Sequence, residues 1–173
     1  MNTPFVVRDT PYIVQFLYYG TVFGSVVEST ITGSGTLYLQ GKSGADRVVH
    51  FQTMNFNHNG TDVSFEIYES SVFTANGTTT INAINQNRNS AKTAQFTAYS
   101  DPPTPTSDGT LITKERIFGT SGGVGQSVSA ATLDILGTEI ILKKNTDYSM
   151  KIINHTTANT SFVVHWNWFE SGN

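Results

Sequence analysis

The chain has 173 residues, a formal net charge of −3, only 13% charged residues and no Cys. These figures argue against disulfides, thiolate metal sites and a basic nucleic-acid-binding patch, because the ten Lys and Arg residues are scattered. Thr, Ser and Asn number 25, 16 and 14, which favours strands and turns over helices. The composition predicts an all-β protein made in a reducing compartment.

Residues 1–9 have a mixed composition and contain Pro4, so we expect an extended N-terminal arm, followed by one domain over residues 10–173. Residues 10–27 carry no charge. Pro11 and two glycines interrupt them, however, and their aromatic and aliphatic residues alternate with a period of two, as in a strand. We therefore predict one or two strands broken at Gly24, rather than a membrane span or a signal peptide.

Turn chemistry divides the remaining chain into short apolar segments. Strands are predicted over residues 25–31, 36–40, 47–56, 63–70, 80–84, 95–100, 138–142, 149–153 and 161–169. Residues 111–118 leave strand and short helix open. Hairpin turns are predicted at 41–44 and 57–60, a pairing of the last two strands across 154–159, and a flexible loop at 119–125.

Alternation assigns faces to three of these strands. Val49 and Thr53 are predicted to share a face of their strand, and Val63 and Phe65 to point inward. The last strand is apolar on both faces, which predicts a central strand or a strand covered by another subunit. About eight strands at spacings near ten residues predict a jelly-roll-like antiparallel β-sandwich.

The sequence contains no recognisable catalytic, cofactor-binding or metal-binding motif, so we do not predict an enzyme. Gly-Lys-Ser at 41–43 lacks the upstream Gly at the spacing of a phosphate-binding loop and is followed by a strand-like segment. The four His residues have no metal-ligand spacing. The residues alone leave a binding module, an adhesin and an assembly subunit open.

Two stretches of the sequence contain distinctive motifs. In the first, Ala75-Asn76-Gly77-Thr78 precedes an Asn/Arg-rich loop at 83–90, followed by Pro102 to Pro105 and Asp108-Gly109-Thr110. In the second, the pattern Ile141-Leu142-Lys143-Lys144-Asn145-Thr146-Asp147-Tyr148 continues through Ile152-Ile153-Asn154 to Trp166-Asn167-Trp168-Phe169-Glu170. Together these stretches resemble a group of small structural proteins of tailed bacteriophage particles. The likeness covers residues 63–170, whereas residues 1–62 match no pattern of this group.

The resemblance implies a homotrimeric jelly roll on the outer surface of the virion, made in the host cytoplasm. It implies a head decoration or cement protein whose partners are its own copies and the major capsid protein, with no cofactor, nucleic acid or membrane. Physical reasoning adds candidate interface residues for subunits or capsid. They are Phe5, Val6 and Val7 in the arm, Tyr12 after it, and Val163 and Phe169 on the second face of the last strand. For residues 12–23, addition to a neighbouring subunit and a first strand of the chain's own sandwich both stay open.

The alternative is a carbohydrate- or receptor-binding module of a phage tail or fibre. In that role, Trp166 and Trp168 would be exposed, and the Asn-rich loop at 85–89 would bind sugar hydroxyls. Buried Trp side chains would count against it.

Overall fold

The computed structural model describes residues 12–59, 62–118, 129–133 and 139–172, with no side chains described for 12–13, 53 and 129–133. Helix α1 spans Tyr12–Tyr18. Sheet A contains β1 (Val22–Ile31), β3 (Val48–His58), β6 (Ile84–Asn85), β9 (Ser129–Leu133), β10 (Ile140–Leu142) and β12 (Thr160–Ser171). Sheet B contains β2 (Thr36–Lys42), β4 (Asp62–Glu69), β5 (Thr79–Ile81), β7 (Thr97–Ser100), β8 (Thr110–Phe118) and β11 (Asp147–Asn154).

The two antiparallel sheets pack as a jelly-roll-like sandwich, as the sequence predicts. Sheet A has the order β10-β3-β12-β1-β6, with β9 also pairing with β3, and sheet B has the order β5-β7-β2-β11-β4-β8. The chain crosses repeatedly between the sheets, so that β1, β2, β3 and β4 alternate between A and B. Strand β12 is central, because it pairs with β1 along one side and β3 along the other.

Alternating apolar residues of both sheets form the core. Phe23, Phe56, Phe65, Phe162 and Trp168 are fully buried between the layers. The Phe56 ring stacks on the rings of Phe65 and Phe162, each within 6 Å between centroids, a geometry that aromatic cores favour. As predicted, Val63 and Phe65 point inward.

The strand predicted over the Tyr12 region is wrong, because residues 12–18 form α1. A Schellman motif ends this helix: the N–H groups of Gly20 and Thr21 donate to the carbonyls of Leu17 and Phe16, both at 3.0 Å. Gly20 has φ +66°, the left-handed conformation that this motif requires and that glycine adopts without a Cβ clash. The period-two alternation before Gly20 is therefore coincidental.

The predicted face assignment of β3 fails halfway along the strand. Phe51 pairs with Trp168, but Thr53 pairs with Asn167, so one extra residue bulges from β3 at this point. The bulge reverses the alternation, because Val49 and Phe51 point into the core before it and Met54 and Phe56 after it.

The predicted hairpins are crossovers between the two sheets. Residues 43–47 lead from β2 in sheet B to β3 in sheet A, and the chain then returns from β3 to β4 in sheet B. Strands β11 and β12 likewise lie in different sheets and do not pair with each other. Gly24 lies inside β1 and not at a break between strands. A Cβ added at Gly24 would lie 2.8 Å from the Asn167 side chain. The predicted loop at 119–125 lies outside the described residues.

Candidate interaction surfaces

The six predicted interface residues lie in different settings. Phe5, Val6 and Val7 are outside the described residues, and Tyr12 begins α1 with a side chain that is not described. Val163 and Phe169 both point to the outer face of sheet A, as the alternation predicts, but only Val163 is partly exposed.

Phe169 is covered by its own chain. Its ring stacks on Phe16 of α1 at 4.3 Å between centroids and on His50 of β3 at the same distance. His50 is held in turn by Glu139 and Ser171, each 2.8 Å from one of its ring nitrogens. Because Phe169 is 0% exposed, it offers no surface to another subunit while α1 is in place. The covering element is α1, in a segment where the alternation predicted a strand.

Eight residues on the outer face of sheet A form a surface that we call the A-face. It consists of Val26, Glu28 and Thr30 of β1, Ser161, Val163 and His165 of β12, and Asn55 and Asn57 of β3. Val163 lies at its centre, opposite Glu28 on one neighbouring strand and Asn57 on the other. Val26 is 53% exposed. Glu28 is the single carboxylate on the A-face, so this surface is nearly uncharged.

The outer face of sheet B has the opposite character, because ion pairs cover it. Glu66 Oε1 lies 2.6 Å from Lys114 Nζ, and Lys151 Nζ donates to Asp108 Oδ2 at 2.8 Å. Tyr68 donates to the second oxygen of Glu66 at 2.6 Å. Charges fixed in this way favour a solvated face.

The pKa shifts on this face follow from the same contacts. Burial alone would raise the pKa of Glu66, but hydrogen bonds from Lys114 and Tyr68 hold it below its usual value. Burial and the adjacent Glu66 carboxylate raise the pKa of Tyr68 to about 12. The hydrogen bond to Asp108 raises the pKa of Lys151. All three groups therefore keep their usual charge states near neutral pH.

Both tryptophans are buried, which counts against the sugar-binding alternative. Trp166 is 3% exposed and Trp168 is 1% exposed. The Trp168 indole donates to Glu170 at 3.3 Å, and Glu170 also accepts hydrogen bonds from the backbone N–H groups of Gln95 and Phe96. The Trp168 and Glu170 side chains join β12 to the segment before β7, and neither tryptophan presents its ring to a ligand at the surface.

The Asn-rich loop also has a structural role. The Asn85 amide donates to the carbonyls of Gly20 and Lys92, both at 2.9 Å, and the Asn87 amide donates to the carbonyl of Tyr18 at 3.2 Å. The loop thereby fixes the passage from α1 to β1. Two of the amides expected to bind sugar hydroxyls are occupied by backbone groups of the chain itself.

The Asn-Thr-x-Tyr pattern forms a folded corner. Asn145 has φ +51°, and the Thr146 N–H donates to Ser43 Oγ at 3.0 Å. The Tyr148 hydroxyl accepts from the Lys143 N–H at 2.7 Å and donates to Glu69 at 3.2 Å. Ser43, the last residue of the Gly-Lys-Ser segment, is thus part of this corner.

Among the described residues, no three His, Asp or Glu side chains come close enough together to hold a metal ion. Within the same ranges, no helix is long and apolar enough to cross a membrane.

Comparison with known proteins identifies no relative that would assign a role to these surfaces. No protein-family model matches the chain, and a search of curated proteins finds no significant match. The features that bear on function are the fold, the two unlike outer faces and the sequence resemblance.

Proposed function

We propose that the chain is a non-enzymatic structural protein of a tailed-phage virion, a homotrimeric decoration subunit that binds the major capsid protein and reinforces the head. The observation that carries the proposal is the nearly uncharged A-face, centred on Val163, in a sandwich whose other outer face carries ion pairs. Protein interfaces are depleted in charge at their centres, and solvated surfaces are not.

The fold and composition are compatible with this role. Jelly rolls are a common architecture of viral capsid proteins, although one fold supports many functions. The sequence resemblance to phage structural proteins selects among those functions. The mechanism would be contact area, because obligate interfaces bury about 2,000 Å² or more between partners.

The test places a charge at the centre of the A-face. Val163→Asp should weaken an interface at this face, since burying an unpaired carboxylate costs several kcal/mol. Light scattering measures the native mass, and co-sedimentation with empty heads of the same phage measures capsid binding. Ile153→Asp is the matched control, because Ile153 is another half-buried β-branched residue, on the outer face of sheet B.

The two readouts separate the two kinds of contact. If Val163→Asp lowers the mass, the A-face is a subunit interface. If the mass is retained and head binding is lost, the A-face is the capsid contact. A wild-type protein that is monomeric and does not bind heads would refute the proposed function, and a Val163→Asp variant with unchanged mass and head binding would refute the role of the A-face.

A further inference from the structure

Strand β1 has an open edge. Strand β6 pairs only with Phe23 and Gly24, and the Gln86 N–H just after β6 donates to the Val22 carbonyl. Since successive residues of a strand direct their N–H and C=O groups to opposite sides, those of Val26, Glu28 and Thr30 also point away from β12. Among the described residues, no strand pairs with this part of β1.

A groove lies beside the open edge. It has a volume of about 300 Å³ and separates β1 from β5, the edge strand of sheet B. Val27, Leu37, Leu39 and Ile81 contribute its apolar wall, and Thr80 and Asn82 are among its polar lining. An added strand would therefore find backbone partners on β1 and apolar contacts between the sheets.

The chain protects another edge but not this one. Strand β8, at the far edge of sheet B, carries Lys114, Glu115 and Arg116 and bulges at Ile112. Charges and bulges of this kind prevent edge-to-edge pairing. The open stretch of β1 has neither a bulge nor a basic residue, and its one charge is Glu28.

We propose that residues 5–10 of a second copy of the chain add to residues 26–31 as an antiparallel strand. Within the arm, Phe5, Val6 and Val7 have high strand propensity, and Pro4 and Pro11 limit the segment to six residues, the length of the open stretch. The inference deepens the proposed function and takes from it the expectation that copies assemble.

Charge complementarity fixes the register. With Arg8 opposite Glu28, both side chains lie on the same outer face, and Phe5, Val7 and Asp9 face the groove, whose lining includes the polar residues Thr80 and Asn82. The alternate residues Val6, Arg8 and Thr10 then exchange backbone hydrogen bonds with β1. Pro4 has no N–H for the next bond, so the ladder ends at the end of β1.

The geometry favours a second copy over the same chain. Helix α1 begins at Tyr12 and lies over the outer face of sheet A, where Phe16 covers Phe169. Within one chain, only Pro11 would connect the added strand to α1, and two Cα steps span about 7 Å. A connection this short restricts how α1 can lie over the outer face of sheet A, and an arm from a second copy is free of that restriction. Pairing two β1 edges about a two-fold axis at Glu28 would place two carboxylates opposite each other.

An arm that adds to the next copy forms a head-to-tail contact. Such contacts close into a ring when the rotation between copies allows it. A ring of three would match the trimer in the proposed function, and each copy would both donate an arm and receive one.

A disulfide tests the register, because the chain has no Cys of its own. Cα atoms of a hydrogen-bonded antiparallel pair lie about 5.5 Å apart, which suits a disulfide. We expect the Arg8→Cys/Glu28→Cys variant to give covalent multimers on a denaturing gel after mild oxidation. The control is Arg8→Cys/Thr30→Cys, in which the Cα atoms would be more than about 7 Å apart and cross-linking should be poor.

Charge reversal provides a second measurement. Arg8→Glu and Glu28→Arg should each weaken self-association about five-fold, and the double variant should restore it. Cross-links only within single chains, no cross-links, or equal cross-linking of the control would overturn the proposal. Co-sedimentation of the cross-linked protein with heads tests the proposed function separately. Multimers that do not bind heads would refute capsid decoration without contradicting the proposed strand addition.

Discussion

Replacing Phe169 by Ala should destabilise the fold without changing the number of subunits. Phe169 is 0% exposed between Phe16 and His50, so removing its ring should cost about 3–5 kcal/mol of unfolding free energy. Phe16→Ala should cost about 1–2 kcal/mol, because Phe16 is only partly buried. The two substitutions should couple by about 0.5–1.5 kcal/mol, the value of an aromatic pair.

Urea unfolding at one protein concentration measures these free energies, and light scattering measures the native mass. The matched control is Phe118→Ala, because Phe118 is 68% exposed on β8 and should change stability by less than about 0.5 kcal/mol. If Phe169→Ala kept the wild-type urea midpoint but changed the mass, Phe169 would be an intersubunit contact, and the reasoning from α1 would be wrong.

Three further substitutions test the local structure by urea unfolding. Glu170→Ala leaves two backbone N–H groups and an indole N–H without their acceptor, so we expect a loss of about 3–5 kcal/mol, and only about 1–2 kcal/mol for Glu170→Gln. Gly20→Ala should cost at least about 1 kcal/mol because of the positive φ, whereas Gly172→Ala, with open space around it, should have no effect. Glu66 has a lowered pKa in the folded protein, so its contribution is complete above the unfolded-state pKa of about 4.5 and is lost as the pH falls through the lower folded value. Stability should therefore decline less steeply below pH 5 in Glu66→Gln than in the wild type; an equal decline would contradict the assignment.

The sequence predicted the fold class because strand alternation is a local signal. In β4, Val63 and Phe65 are inward as predicted, but the outward residue Glu66 is also buried, under its ion pair with Lys114. Alternation indicates which side of the sheet a residue occupies. It does not indicate whether that side is solvated, because the covering groups come from other strands.

Helix α1 was missed although the sequence contains signals for it. Pro11 precedes the segment and Gly20 follows it, which is the order typical of helix ends. The β3 bulge also has a signal, since the buried residues Phe51 and Met54 are three positions apart rather than two. In both cases the prediction continued a two-residue alternation of apolar side chains through a segment that does not follow it, namely α1 and the bulge of β3.

The crossovers between sheets could not be predicted from their turns. The turn at 43–47 uses the same Gly, Ser and Asp chemistry as a hairpin, and the choice of sheet depends on contacts distant in sequence, such as Ser43 with Thr146. The burial of Phe169 has the same origin, because it depends on α1, more than 150 positions earlier. The face assignment of Val163 was therefore correct, whereas the burial of Phe169 under α1 was not predicted, and the role of either residue at an interface stays a prediction.

The uneven distribution of charge connects the two proposals. Sheet B holds the pairs of Glu66 with Lys114 and of Lys151 with Asp108, whereas the A-face has Glu28, which makes no ion pair among the described residues. A subunit that covers a particle needs one face that contacts its partners and another that stays solvated. The nearly uncharged A-face suits the first role, and the ion-paired face of sheet B suits the second. Glu28 lies where the A-face meets the open edge of β1, so a cation from another molecule can neutralise it there. In the proposed strand addition Arg8 would supply that cation, so the addition would also neutralise the single carboxylate of the A-face.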